Sequence, residues 1–224
     1  VVVGIANSRV VARMADLSAM PDDELRSSLP FQVQDLIPIP LDEAELDFQV
    51  VERGLVVDGE ERVRVLLVAA HRDMVRNLLA ALEGAGLTAA RLDLIPLALI
   101  RAVHDPAAWM TSDEPLDGYE VIIGSGAGVT NVVVHADGVP SFVRTLPTGA
   151  AAVTEAIAVD LGIEREDAEA VKRGIGEDDF VSDHPHVDEI AMTSLAPLAD
   201  EVAGSLDFHR GQIGDRVLRR VVLS

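Results

Sequence analysis

"VIIGSGAGVTNVVVHADGVP", residues 121–140, decides the fold. An apolar run enters a glycine-rich turn, a Val-rich run leaves it, and Asp137-Gly138 turns the chain again. Short β-branched runs separated by tight turns predict antiparallel strands. YEVII (119–123), NVVVHA (131–136) and PSFVRTL (140–146) therefore predict a three-stranded meander. The turn Gly124 to Thr130 raises a question of its own, because it could hold a phosphate or only join two strands. Glycines lack Cβ, so backbone N–H groups can converge on an anion, and Thr130 adds a hydroxyl. A glycine-rich hairpin turn taken alone is commonly structural. The loop lacks the Gly-Lys-Ser/Thr of a Walker motif and does not open a helix as a dinucleotide loop would.

Downstream, the pattern predicts a helix from about Gly149 to Leu161 and an acid-led helix from Glu164 to Arg173, then a loop over 174–186. A long helix from about Asp188 to Arg216 carries Leu195, Leu198, Val202, Leu206 and Ile213 on one stripe, and VLRRVVLS reads as a last strand. Three meandering strands, a crossover helix and alternating elements make a ribonuclease H-like plan, an α/β class.

Upstream, VVVGIA (1–6) and RVVARMADL (9–17) read as a strand pair joined at Asn7-Ser8. Pro21-Asp22-Asp23-Glu24 starts a helix, with acids where the helix dipole favours them. Pro30 predicts an end or kink near Leu29. Ile37-Pro38-Ile39-Pro40 is an extended connector and ELDFQVVERG (45–54) a strand. After Asp58-Gly59, VRVLLVAA (63–70) is apolar enough to be buried on both faces. A helix over Arg72–Glu83, a strand over Ala89–Leu94 and a helix from Pro96 complete a strand–helix–strand–helix series, which predicts parallel crossovers. The polar stretch DPAAWMTSDEPLDG (105–118) reads as a domain boundary, dividing the chain into 1–110 and 118–224.

The 224 residues can bury a sizeable core, and 49% are apolar but only 3% aromatic. A net charge of −20 opposes nucleic-acid binding, which needs a basic face. The absence of cysteine excludes a disulfide scaffold and fits a reducing compartment. No run approaches the ~20 apolar residues of a membrane span, and no basic region precedes an apolar one as in a signal peptide. The chain opens on Val within a strand-like run and closes on another strand, which reads as a fragment of a longer protein.

Two further segments could join the glycine loop in one site. Thr148-Gly149-Ala150 precedes an apolar helix, whose N-terminus could complete an anion site or simply be capped by Thr148. Glu169 and Lys172, one helical turn apart, could clasp polar groups or pair with each other. Of the remaining residues, Asp178, Asp179, Asp183, His184, His186, Asp188 and Glu189 fit no zinc spacing and read as a solvated loop. His71, His104, His135 and His209 have no Ser or Cys nucleophile signature nearby. No catalytic residue and no metal ligand is assigned.

"IPIPLDEAELDFQVV", "VRVLLVAAHRDMVRNLLAALEGAGL", "ADGVPSFVRTLPTGAAAVTEAIAVDLGI" and "AEAVKR" occur in the order and spacing of the PilM family of type IV pilus assembly, and this resemblance runs from Val1 to Ser224. It implies actin-like, ribonuclease H-like lobes with an extra subdomain of the kind shared with FtsA. Residues 1–110 would then belong to the first lobe with that subdomain, and 118–224 to the second lobe, incomplete at its C-terminus. Gly126, Ala127, Gly128, Val129 and Thr130 resemble the second phosphate loop, and Gly149 would face the phosphates. Glu169 and Lys172 would hold the ribose and adenine of ATP, bound with Mg²⁺. The implied partner is the N-terminal cytoplasmic tail of a PilN-like membrane protein, bound on the first lobe. The implied place is the cytoplasm, peripheral to the inner membrane within the pilus alignment complex.

Gly124 departs from the family, whose loop normally begins with an Asp that helps position Mg²⁺ and the attacking water. Without it, hydrolysis is expected to be slow or absent, and binding rather than turnover becomes the job. Two alternatives stand beside this. One is the cytoplasmic actin-like domain of a type II secretion L-type protein, without nucleotide. The other is a small-molecule kinase of the same superfamily, for which no suitable aspartate base is evident.

Overall fold

The computed structural model describes residues 1–107, 118–175, 186–213 and 215–224, with residues 212 and 213 described by backbone alone. Most of the polar boundary stretch and of the 174–186 loop, including Asp178, Asp179, Asp183 and His184, lies outside the described residues. Two compact units are present. The first comprises Val1–Gly124, Asn131–Thr145 and Asp215–Ser224, and the second Ser125–Thr130 and Leu146–Gly214. Compactness thus groups strands from both halves of the chain.

In the first unit, β2 (Val10–Ser18), β4 (Glu60–His71) and β3 (Ala44–Val57) form an antiparallel sheet in that order. The strand expected over 63–70 is its centre, and its two faces serve different cores. Val63, Val65, Leu67 and Ala69 pack with Leu25, Leu29 and Val33 of α1 (Asp22–Val33), whereas Leu66 packs with Ile100, Ile122 and Val133. That two-sided burial explains the near-continuous apolar run. The Asp58-Gly59 turn linking β3 to β4 has φ of 53° and 81°, the left-handed pair of a type I′ hairpin.

Three expectations need correction. β1 (Val2–Ile5) does not pair with β2; it lies parallel to β5 (Arg91–Leu94), with Val2 opposite Arg91 and Ile5 opposite Leu94. β2 instead runs along β4 for nine residues, from Val10 opposite Ala70 to Ser18 opposite Arg62. A nine-residue ladder against an apolar strand outcompetes a four-residue hairpin. For the same reason the parallel crossover does not join β4 to β5: β4 already has a neighbour on each side, and β5 closes onto β1 instead. Nor does Pro30 end its helix. α1 continues to Val33 because Leu25, Leu29 and Val33, all at most 2% exposed, form a stripe that tertiary packing holds through the proline.

α2 (Arg72–Gly84) packs Met74, Val75 and Leu78 against Ile5, Val10 and Leu94, and α3 (Ile95–Val103) starts with Pro96 in its first turn. The remaining sheet has the order β8 (Val139–Leu146), β7 (Thr130–Ala136), β6 (Tyr119–Ser125), β9 (Leu218–Leu223). Its first three strands are the expected meander. β9 lies parallel to β6, with Val121 opposite Val221, so a long crossover brings the chain back beside the meander's first strand.

Among its described residues the second unit holds three helices: α4 (Ala151–Leu161), α5 (Arg165–Gly174) and α6 (Val187–Ile213), the last ending three residues before the expected Arg216. Its core gathers Val153, Ile157, Ala168, Val187 and Ala191. The buried face of α6 runs through Val187, Ala191, Leu198, Ser205 and His209, on the expected stripe but with two polar members. The Ser205 hydroxyl donates back to the Glu201 carbonyl at 2.6 Å, which satisfies it within its own helix.

Candidate functional site

The glycine loop belongs to the second unit with the three helices. Its tip is closed by the Gly126 N–H, which donates to the Val129 carbonyl at 2.9 Å. Ser125 to Gly128 are exposed, while Thr130 is fully buried with its hydroxyl 3.3 Å from that of Ser125.

The start of α4 is not capped by Thr148, because no side chain caps this helix. The Ala150 N–H donates to the Gly126 carbonyl at 2.9 Å and the Ala151 N–H to the Ala127 carbonyl at 2.8 Å. Two of the amides that a helix leaves unpaired at its N-terminus are thus satisfied by the loop itself. Gly149 makes this possible. A Cβ there would overlap the Gly126 carbonyl oxygen and stand 2.7 Å from that of Ala127, closer than non-bonded atoms approach.

Glu169 and Lys172 on α5 meet, but not only each other. The Lys172 ammonium lies 2.6 Å from Glu169 Oε2, 2.9 Å from Thr154 Oγ1 and 3.3 Å from the Ala150 carbonyl. The Thr154 hydroxyl lies 2.6 Å from the same Oε2, and Arg173 Nε donates to Oε1 at 3.1 Å. Hydrogen bonds from Lys172, then Thr154, then Arg173 lower the Glu169 pKa to about 2. The pair therefore ties α5 to the first turn of α4. Thr154 was invisible to sequence reading, where one threonine in an apolar helix carries no signal.

Ala127, Ala151, Glu169 and Lys172 line one open cavity of about 610 Å³ together with Glu164, Arg165 and Glu166. Expected residues from three separate segments are thereby brought to one place, since Gly126 and Ala127 also seat Gly149. Gly128, Val129 and Thr130 share the loop but are not among the lining residues. The cavity presents three carboxylates and two cations, with the loop at one side. The carboxylates can accept protons from hydroxyl groups and the two cations can meet an anionic one, and the volume lies within the usual range of small-ligand pockets.

Gly124 has a packing role in the first unit, where a Cβ would stand 2.7 Å from Leu99 Cδ1. An aspartate at this position would require the Leu99 side chain to move.

A four-stranded sheet in the order β8-β7-β6-β9, with a glycine loop in its first hairpin and a helix start seated on that loop, defines an actin-like protein. Residues 1–224 match the family described as Type IV pilus assembly protein PilM, and the chain belongs to that family. It is similar to a solved PilM-PilN type IV pilus biogenesis complex, with a TM-score of 0.79 and 28% identity, covering 100% of this chain and 62% of that one. The cell division protein FtsA of Bacillus subtilis (strain 168) is 26% identical over 173 residues, 71% of this chain and 36% of that protein. FtsA of Escherichia coli (strain K12) is 30% identical over 111 residues, 50% of this chain and 25% of that protein. The chain thus spans a quarter to about a third of these curated relatives. No described helix is long and apolar enough to cross a membrane.

No described histidine lines the cavity. His135 on β7 is fully buried, its Nε2 3.6 Å from Glu120 Oε2, which Arg220 engages at 2.7 Å. His104 stacks edge-on to it at 5.5 Å and meets Asp137 at 3.2 Å. Burial above all holds the His135 pKa below its ordinary value; Glu120 and Asp137 oppose the shift, while His104 and Arg220 reinforce it. The unfolded chain therefore takes up this proton first. Stability is expected to be full above pH ~6.5, the unfolded value, and to fall as pH drops through it toward the lower folded value. Urea midpoints between pH 5 and pH 8 check this. The slope should shrink in His135→Asn, and an unchanged slope would assign it to other groups.

Proposed function

We propose that this chain is part of a nucleotide-binding scaffold in type IV pilus assembly, working by binding rather than turnover. What carries the reading is the convergence of Ala127, Ala151, Glu169 and Lys172 on one cavity, with Gly149 seated against the loop. Gly126 to Thr130 and Gly149 would hold the phosphates of ATP, and Glu169 with Lys172 the ribose and adenine. Mg²⁺ would enter with the triphosphate, because position 124 offers no carboxylate. Residues 1–110 would form part of the first actin-like lobe with the extra subdomain, and 118–224 part of the second. The N-terminal cytoplasmic tail of a PilN-like protein would dock on the first lobe, placing the scaffold beneath the inner membrane within the alignment complex.

Titrating the full-length protein with ATP and Mg²⁺ tests the nucleotide half, for which saturable binding with little phosphate release is expected. No binding at millimolar ATP would sink it. Capture of the protein by an immobilised PilN-type N-terminal peptide tests the partner half. A second reading, a nucleotide-free actin-like domain of the type II secretion L-type, draws support from Gly124 and its contact with Leu99. It predicts no ATP binding and no capture by the PilN-type peptide.

A further inference from the structure

Thr154 is 1% exposed, one helical turn into α4, and none of the cavity-lining residues lies next to it in sequence. Its hydroxyl has one proton and two lone pairs. Three polar groups surround it: Glu169 Oε2 at 2.6 Å, Lys172 Nζ at 2.9 Å and the Ala150 carbonyl at 3.5 Å. The single proton goes to the closest and only charged acceptor, the Glu169 carboxylate, since charge-assisted bonds of this length are the stronger kind. A lone pair then accepts from Lys172. The ammonium has three protons, and its three neighbours are Glu169 Oε2, Thr154 Oγ1 and the Ala150 carbonyl. Thr154 is therefore a neutral group that bonds to both charged residues, and it orders them on a neighbouring helix from a buried position.

We infer that Thr154 is a positioning residue, fixing the Glu169 carboxylate and the Lys172 ammonium in the orientation that recognises the ribose hydroxyls of a nucleotide. The recognition part of this inference rests on the nucleotide-binding reading above; the positioning part does not. Valine matches threonine in shape but has no hydroxyl. In Thr154→Val the carboxylate loses a donor and the ammonium an acceptor, while the packing around Val153 and Ile157 is kept. Serine restores the hydroxyl.

The test uses the full-length protein and two readouts. The first is ligand-free: ¹³C NMR titration of the Glu169 carboxyl, which is held at about 2 in part by Thr154. Thr154→Val should move this titration up toward the ordinary range near 4.3, and Thr154→Ser should return it. The second is calorimetric titration with ATP and with 2′-deoxy-ATP. The wild type should favour ATP. Thr154→Val should weaken ATP by about tenfold, the effect of one lost bond to a charged group, and should erase the preference, with Thr154→Ser restoring both. A Glu169 titration unchanged in Thr154→Val overturns the positioning role whether or not nucleotide binds. A shifted titration with the ATP preference intact overturns the link to ribose recognition. If the wild type binds neither nucleotide, the functional reading fails, and the Glu169 titration alone decides the positioning role.

Discussion

Gly149→Ala is expected to destabilise the second unit by about 3 kcal/mol and to abolish ATP binding by the full-length protein. The added methyl group would meet two backbone carbonyls, those of Gly126 and Ala127, and not the yielding tip of a side chain. Relief requires the loop to leave the helix start. That movement breaks the bonds from the Ala150 and Ala151 amides, at 2.9 and 2.8 Å, together. Overpacking accounts for about 1–3 kcal/mol and each lost hydrogen bond for about 1 kcal/mol, so the combined effect is large for one methyl group. Urea unfolding followed by circular dichroism measures the first effect and nucleotide titration the second. A midpoint unchanged from the wild type would show that the loop yields freely, and the seating of the helix on it would lose its importance.

Ile157→Ala should cost a similar amount, about 2–5 kcal/mol, for a different reason. The helical core of the second unit relies on Val153, Ile157, Ala168, Val187 and Ala191, of which Ile157 is the largest and is fully buried. Two of the other four are alanines, and the larger side chains packed against this cluster, among them Leu161, Ile163 and Leu195, are only partly buried and would have to leave their own contacts to fill the space left by truncation. The variant should speed amide exchange throughout α4, α5 and α6, because α4 packs against both other helices. Exchange rates that stay at wild-type values in these helices would mean that the core re-forms around the smaller side chain. Ile157→Val, which removes one methyl group, should fall near 1 kcal/mol by the same measurement.

What the sequence made legible was local. Asp58-Gly59 and Asp137-Gly138 both take the positive φ that their residue types permit, and the hairpins follow from them. The apolar run at 63–70 announced a strand with two covered faces, and the spacing of Leu195, Leu198, Val202 and Leu206 announced a long amphipathic helix. The pairing of β1 with β5 was not legible. Four-residue strands nearly ninety positions apart carry no mark of each other, and the adjacent Asn7-Ser8 turn suggested a nearer partner. Pro30 misled because the stripe that carries α1 through it is satisfied by long-range packing, from the sheet and from Ile37 and Ile39, that the local sequence does not display. At the candidate site, the glycines, Glu169 and Lys172 could be named from their chemistry. Thr154 could not, and the need for glycine at 149 shows only when the two carbonyls are seen above it.

The loop and the start of α4 also bear on how the chain can be divided. Ser125–Thr130 belongs with the helices, yet it is flanked in sequence on both sides by strands of the other unit. Neither unit is an unbroken length of polypeptide, so no single cut releases one intact. A peptide of residues 146–214 would contain α4, α5 and α6 but not the carbonyls that receive the Ala150 and Ala151 amides. Expressed alone, it would begin with α4 frayed and would need residues 125–130 supplied separately, as in fragment complementation, to recover its first turn.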